Sequence, residues 1–181
     1  MVTEKRLLEK KGITREYIEG AFEKDIESTK KILDKWLIDS KGMGIFLKGI
    51  SGSGKTFVGC YLVHKILEKK YPAYRIVFSD LKEMYMENYK KFPKHFRDKD
   101  VLFVDDINPK YLEGMSENFK DLLKLRKERN TLTILSSQYG LDYYDDKLSG
   151  FIKTAFFPIN LAPIDFRERQ WEKAQEEFII D

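Results

Sequence analysis

Gly49-Ile50-Ser51-Gly52-Ser53-Gly54-Lys55-Thr56 fills every fixed position of the pattern G-x-x-x-x-G-K-S/T. Glycines let a backbone curl so that successive N–H groups point inward at a cluster of anionic oxygens. Lys55 is then placed to reach the β- and γ-phosphates of a nucleoside triphosphate, and the Thr56 hydroxyl to ligate Mg²⁺. The flanks suit that reading. Gly44-Ile45-Phe46-Leu47-Lys48 before the loop is a short apolar run of buried-strand type. The residues from Phe57 to Leu67 after it read as a helix, whose N-terminus adds its own positive end to the loop. The expected phosphate-binding set is Gly49, Ser51, Gly52, Ser53, Gly54, Lys55, Thr56 and Phe57.

Working outward, Val101-Leu102-Phe103-Val104-Asp105-Asp106 is four apolar residues ending in two carboxylates. A buried parallel strand would carry these acids to its C-terminal end, where ligands sit in open α/β sheets. Asp105 is expected to hold Mg²⁺ together with Thr56, and Asp106 to orient and deprotonate an attacking water. Asp-Asp after an apolar run means little alone. It gains meaning about 50 residues beyond a complete phosphate loop. Thr131-Leu132-Thr133-Ile134-Leu135-Ser136-Ser137-Gln138 is a further strand with a polar end, which makes Gln138 a candidate γ-phosphate sensor.

The remaining elements follow from periodicity. Residues 1–41 read as a helical arm, with Thr14 as a cap and Tyr17, Ile18, Phe22, Ile26, Ile32, Leu33, Trp36 and Leu37 at helical spacing. Residues 42–181 read as one α/β domain. Tyr74–Ser79 is a strand candidate, with Ser79-Asp80 opening the next helix. Ser116–Arg129 is an amphipathic helix closed by Asn130. Asp142–Ser149 reads as a short acidic helix, and Ala155–Asn160 as the fifth strand. Pro158 puts that strand at an edge. Asp165 opens a last helix. Tyr89, Lys90, Lys91, Lys94, Phe96 and Arg97 interleave basic and aromatic residues, a pattern that can neutralise phosphates and stack bases of single-stranded DNA. The plainer reading of that stretch is a solvated helix end.

Bulk composition sets outer bounds. The 181 residues carry 33 Lys+Arg and 30 Asp+Glu, a net charge of +3, too mild to identify a nucleic-acid partner without a local patch. One cysteine, Cys60, excludes an internal disulfide and suits a reducing compartment. No apolar run approaches the roughly 18 residues of a membrane span, so a cytoplasmic chain is expected. His95 and His64 have no companions at ligand spacing, so no metal beyond nucleotide-bound Mg²⁺ is expected.

Taken together, residues 44–169 resemble the AAA+ ATPase domain of the DnaC/DnaI helicase-loader and IstB transposition-helper group. The likeness rests on the P-loop at 49–56, the Walker B strand at 101–106, Thr-Ile-Leu-Ser-Ser-Gln at 133–138, and Asp165-Phe166-Arg167. It implies a P-loop NTPase three-layer αβα sandwich, with a five-stranded parallel sheet in the order 5-1-4-3-2. It implies ATP and Mg²⁺ as cofactors, Gln138 in place of the group's sensor asparagine, and Arg167 as a second sensor on the phosphates. A replicative helicase, single-stranded DNA and a homo-oligomer are the implied partners. One departure stands out. The group carries arginines before the fifth strand, one serving as a finger on a neighbouring subunit's nucleotide. Here Asp146-Lys147-Leu148-Ser149-Gly150-Phe151-Ile152-Lys153 offers lysines. A finger is worth roughly 10³–10⁵ in rate, and lysine lacks its planar fork. Low intrinsic ATPase activity is therefore expected. An IstB-type helper, a nucleotide-binding adaptor without turnover and a small-molecule kinase are the alternatives. The kinase fits least, since no arginine-rich lid is evident.

Overall fold

The computed structural model describes residues 43–68, 73–87, 96, 99–161, 163, 165, 167 and 168. The expected N-terminal arm and the helix beyond Glu168 lie outside these, as does the basic-aromatic stretch apart from Phe96.

Five strands form one parallel sheet: β1 (Gly44–Lys48), β2 (Ala73–Val77), β3 (Val101–Asp105), β4 (Leu132–Ser137) and β5 (Phe156–Asn160). Their order is β2-β3-β4-β1-β5, the expected order read from the other edge. The interior strands are apolar on both faces because helices cover both. In β3, Leu102 and Val104 point into one core, with Phe46, Leu135, Phe119 and Leu148. That core is roofed by α2 (Phe78–Glu87), α3 (Ser116–Glu128) and α4 (Asp146–Ala155). Val101 and Phe103 point into the other core, with Ile45, Leu47, Ile134, Val58 and Leu62. The described helix on that side is α1 (Lys55–Glu68), so three layers result. Pro158 lies on the edge strand β5, where its missing N–H costs no interior ladder bond.

Two local readings need correction. The second strand ends at Val77, and α2 begins directly at Phe78, so Ser79 lies inside the helix. The cause is Phe78, which is fully buried and meets Phe119 edge-on at 5.3 Å between ring centroids. The acidic segment splits into a 3₁₀ turn, Leu141–Tyr143, and α4. Asp145 separates them by accepting the N–H groups of Lys147 and Leu148 as N-cap. Asn130 does end α3, with φ +54°.

The α1–β3 contact is close because Gly59 has no side chain. A Cβ there would press into the Phe103 ring, which is fully buried and cannot swing away. Gly59→Ala should therefore lower stability by about 1 kcal/mol, since overpacking of about 1–3 kcal/mol outweighs a helix-propensity gain of about 1 kcal/mol. Denaturant melts would show it, and a stabilised variant would mean that the helix can move off the sheet.

Candidate nucleotide site

The C-terminal ends of β1, β3 and β4 meet at one edge of the sheet, and the sequence motifs meet with them. Beyond β1 the chain curls through Ser51–Gly54 into α1, with Gly52 at φ +76° and Gly54 at φ +86°, left-handed values open to glycine. Gly54 O accepts the Val58 N–H at 2.9 Å, so the loop runs directly into the first helical turn. The Ser53 side chain is buried, and its Oγ has no partner among the described residues.

Lys55 opens α1 and is 8% exposed. Its Nζ donates to Gly49 O at 2.8 Å and Ile50 O at 2.7 Å, so the ammonium lies folded against its own loop. Burial pushes its pKa below the ordinary lysine value, while Asp106 and Asp105 pull it back. Thr56 Oγ1 donates to Asp105 Oδ1 at 3.2 Å, which brings the loop hydroxyl and the strand-end acid together.

Asp105 ends β3 and is 2% exposed. A carboxylate so deep must be satisfied, and three side chains do it. Besides Thr56, Ser136 Oγ donates to Oδ1 at 2.5 Å, and Arg75 donates to Oδ2 from Nη2 at 2.6 Å and from Nε at 3.2 Å. Asp106 leaves the strand at φ +58°, a conformation short polar residues tolerate, and stands exposed. Its N–H donates to Ser136 Oγ at 2.8 Å, so one serine fixes both acids.

Gln138 stands exposed one residue beyond β4. Its neighbour Ser137 is buried and donates to Ile107 O at 2.8 Å, beside the hydroxyl of Tyr144. Burial pushes the Tyr144 phenol up to about 12, so it remains a neutral strut between β4 and the turn after β3. Arg167 reaches the loop from the far end of the chain. Its Nη2 donates to Ser51 Oγ at 2.9 Å and pairs with Asp165 at 3.1 Å. Asp165 in turn lies so close to Gly52 that a Cβ there would overlap its carboxylate.

Arg75 and Ser136 were assigned no role by the sequence reading. A lone arginine in an otherwise apolar buried strand was the available signal, because such a charge needs a buried acid nearby. Phe96 needs the opposite correction. Its ring is fully buried in the core, 6.1 Å from the Tyr74 ring, and is not a surface on which bases can stack. Tyr89, Lys90, Lys91, Lys94 and Arg97 lie outside the described residues.

The residues present fit a nucleoside triphosphate with Mg²⁺. The loop has two left-handed glycines, a lysine, an orphaned buried hydroxyl in Ser53 and a Thr–Asp pair beside it. Among the described residues no cluster of three or more His, Cys, Asp or Glu could hold a metal by itself. None of the described helices is long and apolar enough to cross a membrane.

No protein-family model and no curated protein sequence matches the chain. Solved structures do. The crystal structure of DnaI superposes with TM-score 0.66 at 14% identity, over 84% of this chain and 93% of that one. The DnaC helicase loader gives TM-score 0.62 at 18% identity, over 82% of this chain and 100% of that one. AMPPCP-bound DnaA from Aquifex aeolicus gives 0.63 at 19% identity, over 83% of this chain. This chain spans about half (51%) of that DnaA structure. The fold is therefore a P-loop α/β sandwich around a five-stranded parallel sheet, the fold of these solved structures.

Proposed function

We propose that this chain is an ATP-binding replication accessory protein of the helicase-loader type, with low intrinsic ATPase activity, acting on single-stranded DNA and a replicative helicase. The observation that carries this is the convergence at one sheet edge of the phosphate loop, the Thr56–Asp105 pair, exposed Asp106 and the Arg167–Ser51 bond. The loop N–H groups and Lys55 would hold the triphosphate, and Arg167 is placed to add a second cation beside Ser51. Thr56 and Asp105 would hold Mg²⁺, which supplies charge neutralisation at the phosphates. Asp106 accepts the proton of the attacking water, and Ser136 keeps its backbone in place for that task. Gln138 is within the same rim and serves as a phosphate sensor.

Low turnover is expected from α4. Its basic residues are Lys147 and Lys153, and Lys147 is engaged with Glu117 at 2.7 Å. Neither presents a guanidinium to a neighbouring copy, so a homo-oligomer would activate itself weakly. The basic residues Lys90, Lys91, Lys94 and Arg97 are the proposed DNA track, working by charge once Phe96 is set aside.

ATP hydrolysis with and without single-stranded DNA, for the wild type and Asp106→Asn, tests the reading. A slow rate that DNA raises, and that falls by about 10²-fold or more in the variant, is the expected result. Tight nucleotide binding with no turnover in either protein would instead favour an adaptor that uses ATP only as a switch. An unchanged rate in Asp106→Asn would remove Asp106 as the base.

A further inference from the structure

Arg75 sits in the middle of β2, 8% exposed, on the side of the sheet that packs against α1. Its two bonds to Asp105 Oδ2 divide that carboxylate between two environments. Oδ1 faces the phosphate loop through Thr56, whereas Oδ2 is neutralised from behind by a fixed guanidinium. The nearby Cys60 thiol is pushed by burial up to about 12 and stays neutral, so it does not offset the arginine. Among the described residues, Asp105, Asp106 and Asp165 stand with Lys55 and Arg167 around the loop, and Arg75 adds a third cation behind Asp105. Without Arg75 these described charges would sum to one negative charge.

We infer that Arg75 is a resident counter-charge that lets this site accept a nucleoside triphosphate with little assistance from Mg²⁺. This rests on the nucleotide-binding reading above and adds a positioning residue to it. A Mg²⁺ ion strengthens triphosphate binding by offsetting negative charge, and a cation already paired to the metal-side carboxylate does part of that in advance. At an effective dielectric of about 20, one unit charge about 10 Å from another shifts an equilibrium by about tenfold.

The test is the Kd of a fluorescent ATP analogue for the full chain, measured in Mg²⁺ and in EDTA. Wild type should lose less than about tenfold on removal of the metal. Arg75→Gln deletes the charge while leaving an amide that can donate to Asp105, and should bind about tenfold more weakly in EDTA, about 1.4 kcal/mol. Arg75→Lys keeps the charge and should stay near wild type. Thermal melts confirm folding. If Arg75→Gln does not fold, the wild type carries the test by itself, and a Kd more than about tenfold weaker in EDTA than in Mg²⁺ overturns the inference. Equal metal dependence in wild type and Arg75→Gln, or a lysine variant as weak as the glutamine one, would each overturn the inference. Wild type that binds in neither buffer would defeat the nucleotide reading itself, whereas binding with unchanged ratios defeats only the role of Arg75.

Discussion

Lys55→Ala should weaken ATP binding by at least about 10²-fold, which isothermal titration or a fluorescent nucleotide would register. Lysine reaches phosphate through charge-assisted hydrogen bonds, each worth about 1.5–3 kcal/mol, and two such bonds correspond to about 10²–10⁴ in Kd. In the structure the same ammonium donates to Gly49 O and Ile50 O at 2.8 and 2.7 Å. Binding must exchange those carbonyls for phosphate oxygens. The exchange is favourable because burial already disfavours the charged amine and a phosphate offers a full counter-charge. Lys55→Ala deletes the ammonium from both states. The folded protein should lose little stability, because Gly49 and Ile50 are not fully buried and water can reach their carbonyls. A variant that binds ATP as the wild type does would mean that the loop does not hold phosphate. A variant that fails to fold would mean that the lysine braces the loop. Those outcomes separate by circular dichroism.

The sequence was most legible where function needs a local backbone shape. The phosphate loop is eight contiguous residues whose glycines and lysine act through the geometry of the loop itself, so pattern and structure coincide. The apolar run ending at Asp105 was legible for a similar reason, since a strand buried on both faces reads as continuous hydrophobicity. Strand order followed from those two anchors and the fold that they imply. Legibility failed where a residue's meaning depends on a partner far along the chain. Arg75 and Asp105 are 30 residues apart, and nothing adjacent to Arg75 announces the pairing. Ser136 looked like one more polar residue at a strand end, yet its hydroxyl serves both acids. Phe96 failed differently. Aromatic rings among lysines suit base stacking and core insertion equally, and only the sheet behind Phe96 decides between them.

Arg126→Met should cost about 3 kcal/mol, a large share of the 5–15 kcal/mol that holds a domain together. Arg126 lies in α3 with no exposed surface. Its guanidinium donates from Nε to Thr133 Oγ1 at 2.8 Å, from Nη1 to Phe96 O at 2.6 Å and Lys99 O at 2.8 Å, and from Nη2 to Leu132 O at 2.6 Å. One side chain of α3 thus ties the approach to β3 to the start of β4. Burial lowers its pKa to about 10, so it stays charged at neutral pH and carries a desolvation cost. Methionine removes that cost along with the donors, which is why apolar replacement of a buried charge can sometimes be harmless. Here the acceptors decide the sign. Three main-chain carbonyls would lose a donor, that of Phe96 in a buried place at about 1–3 kcal/mol and those of Lys99 and Leu132 in partly buried places at less, and methionine offers nothing in exchange. Arg126→Lys should recover only part of the loss, because one ammonium cannot span four acceptors arranged for a planar fork. Denaturant melts give the magnitude, and hydrogen exchange at Lys99 and Leu132 should rise in both variants. A loss under about 1 kcal/mol for the methionine variant would show that water replaces the guanidinium at these carbonyls. The consequence for function runs through Phe96, whose carbonyl is one of the four acceptors. Arg126 thereby anchors the end of the basic segment proposed to meet DNA, so its loss should weaken DNA binding more than nucleotide binding.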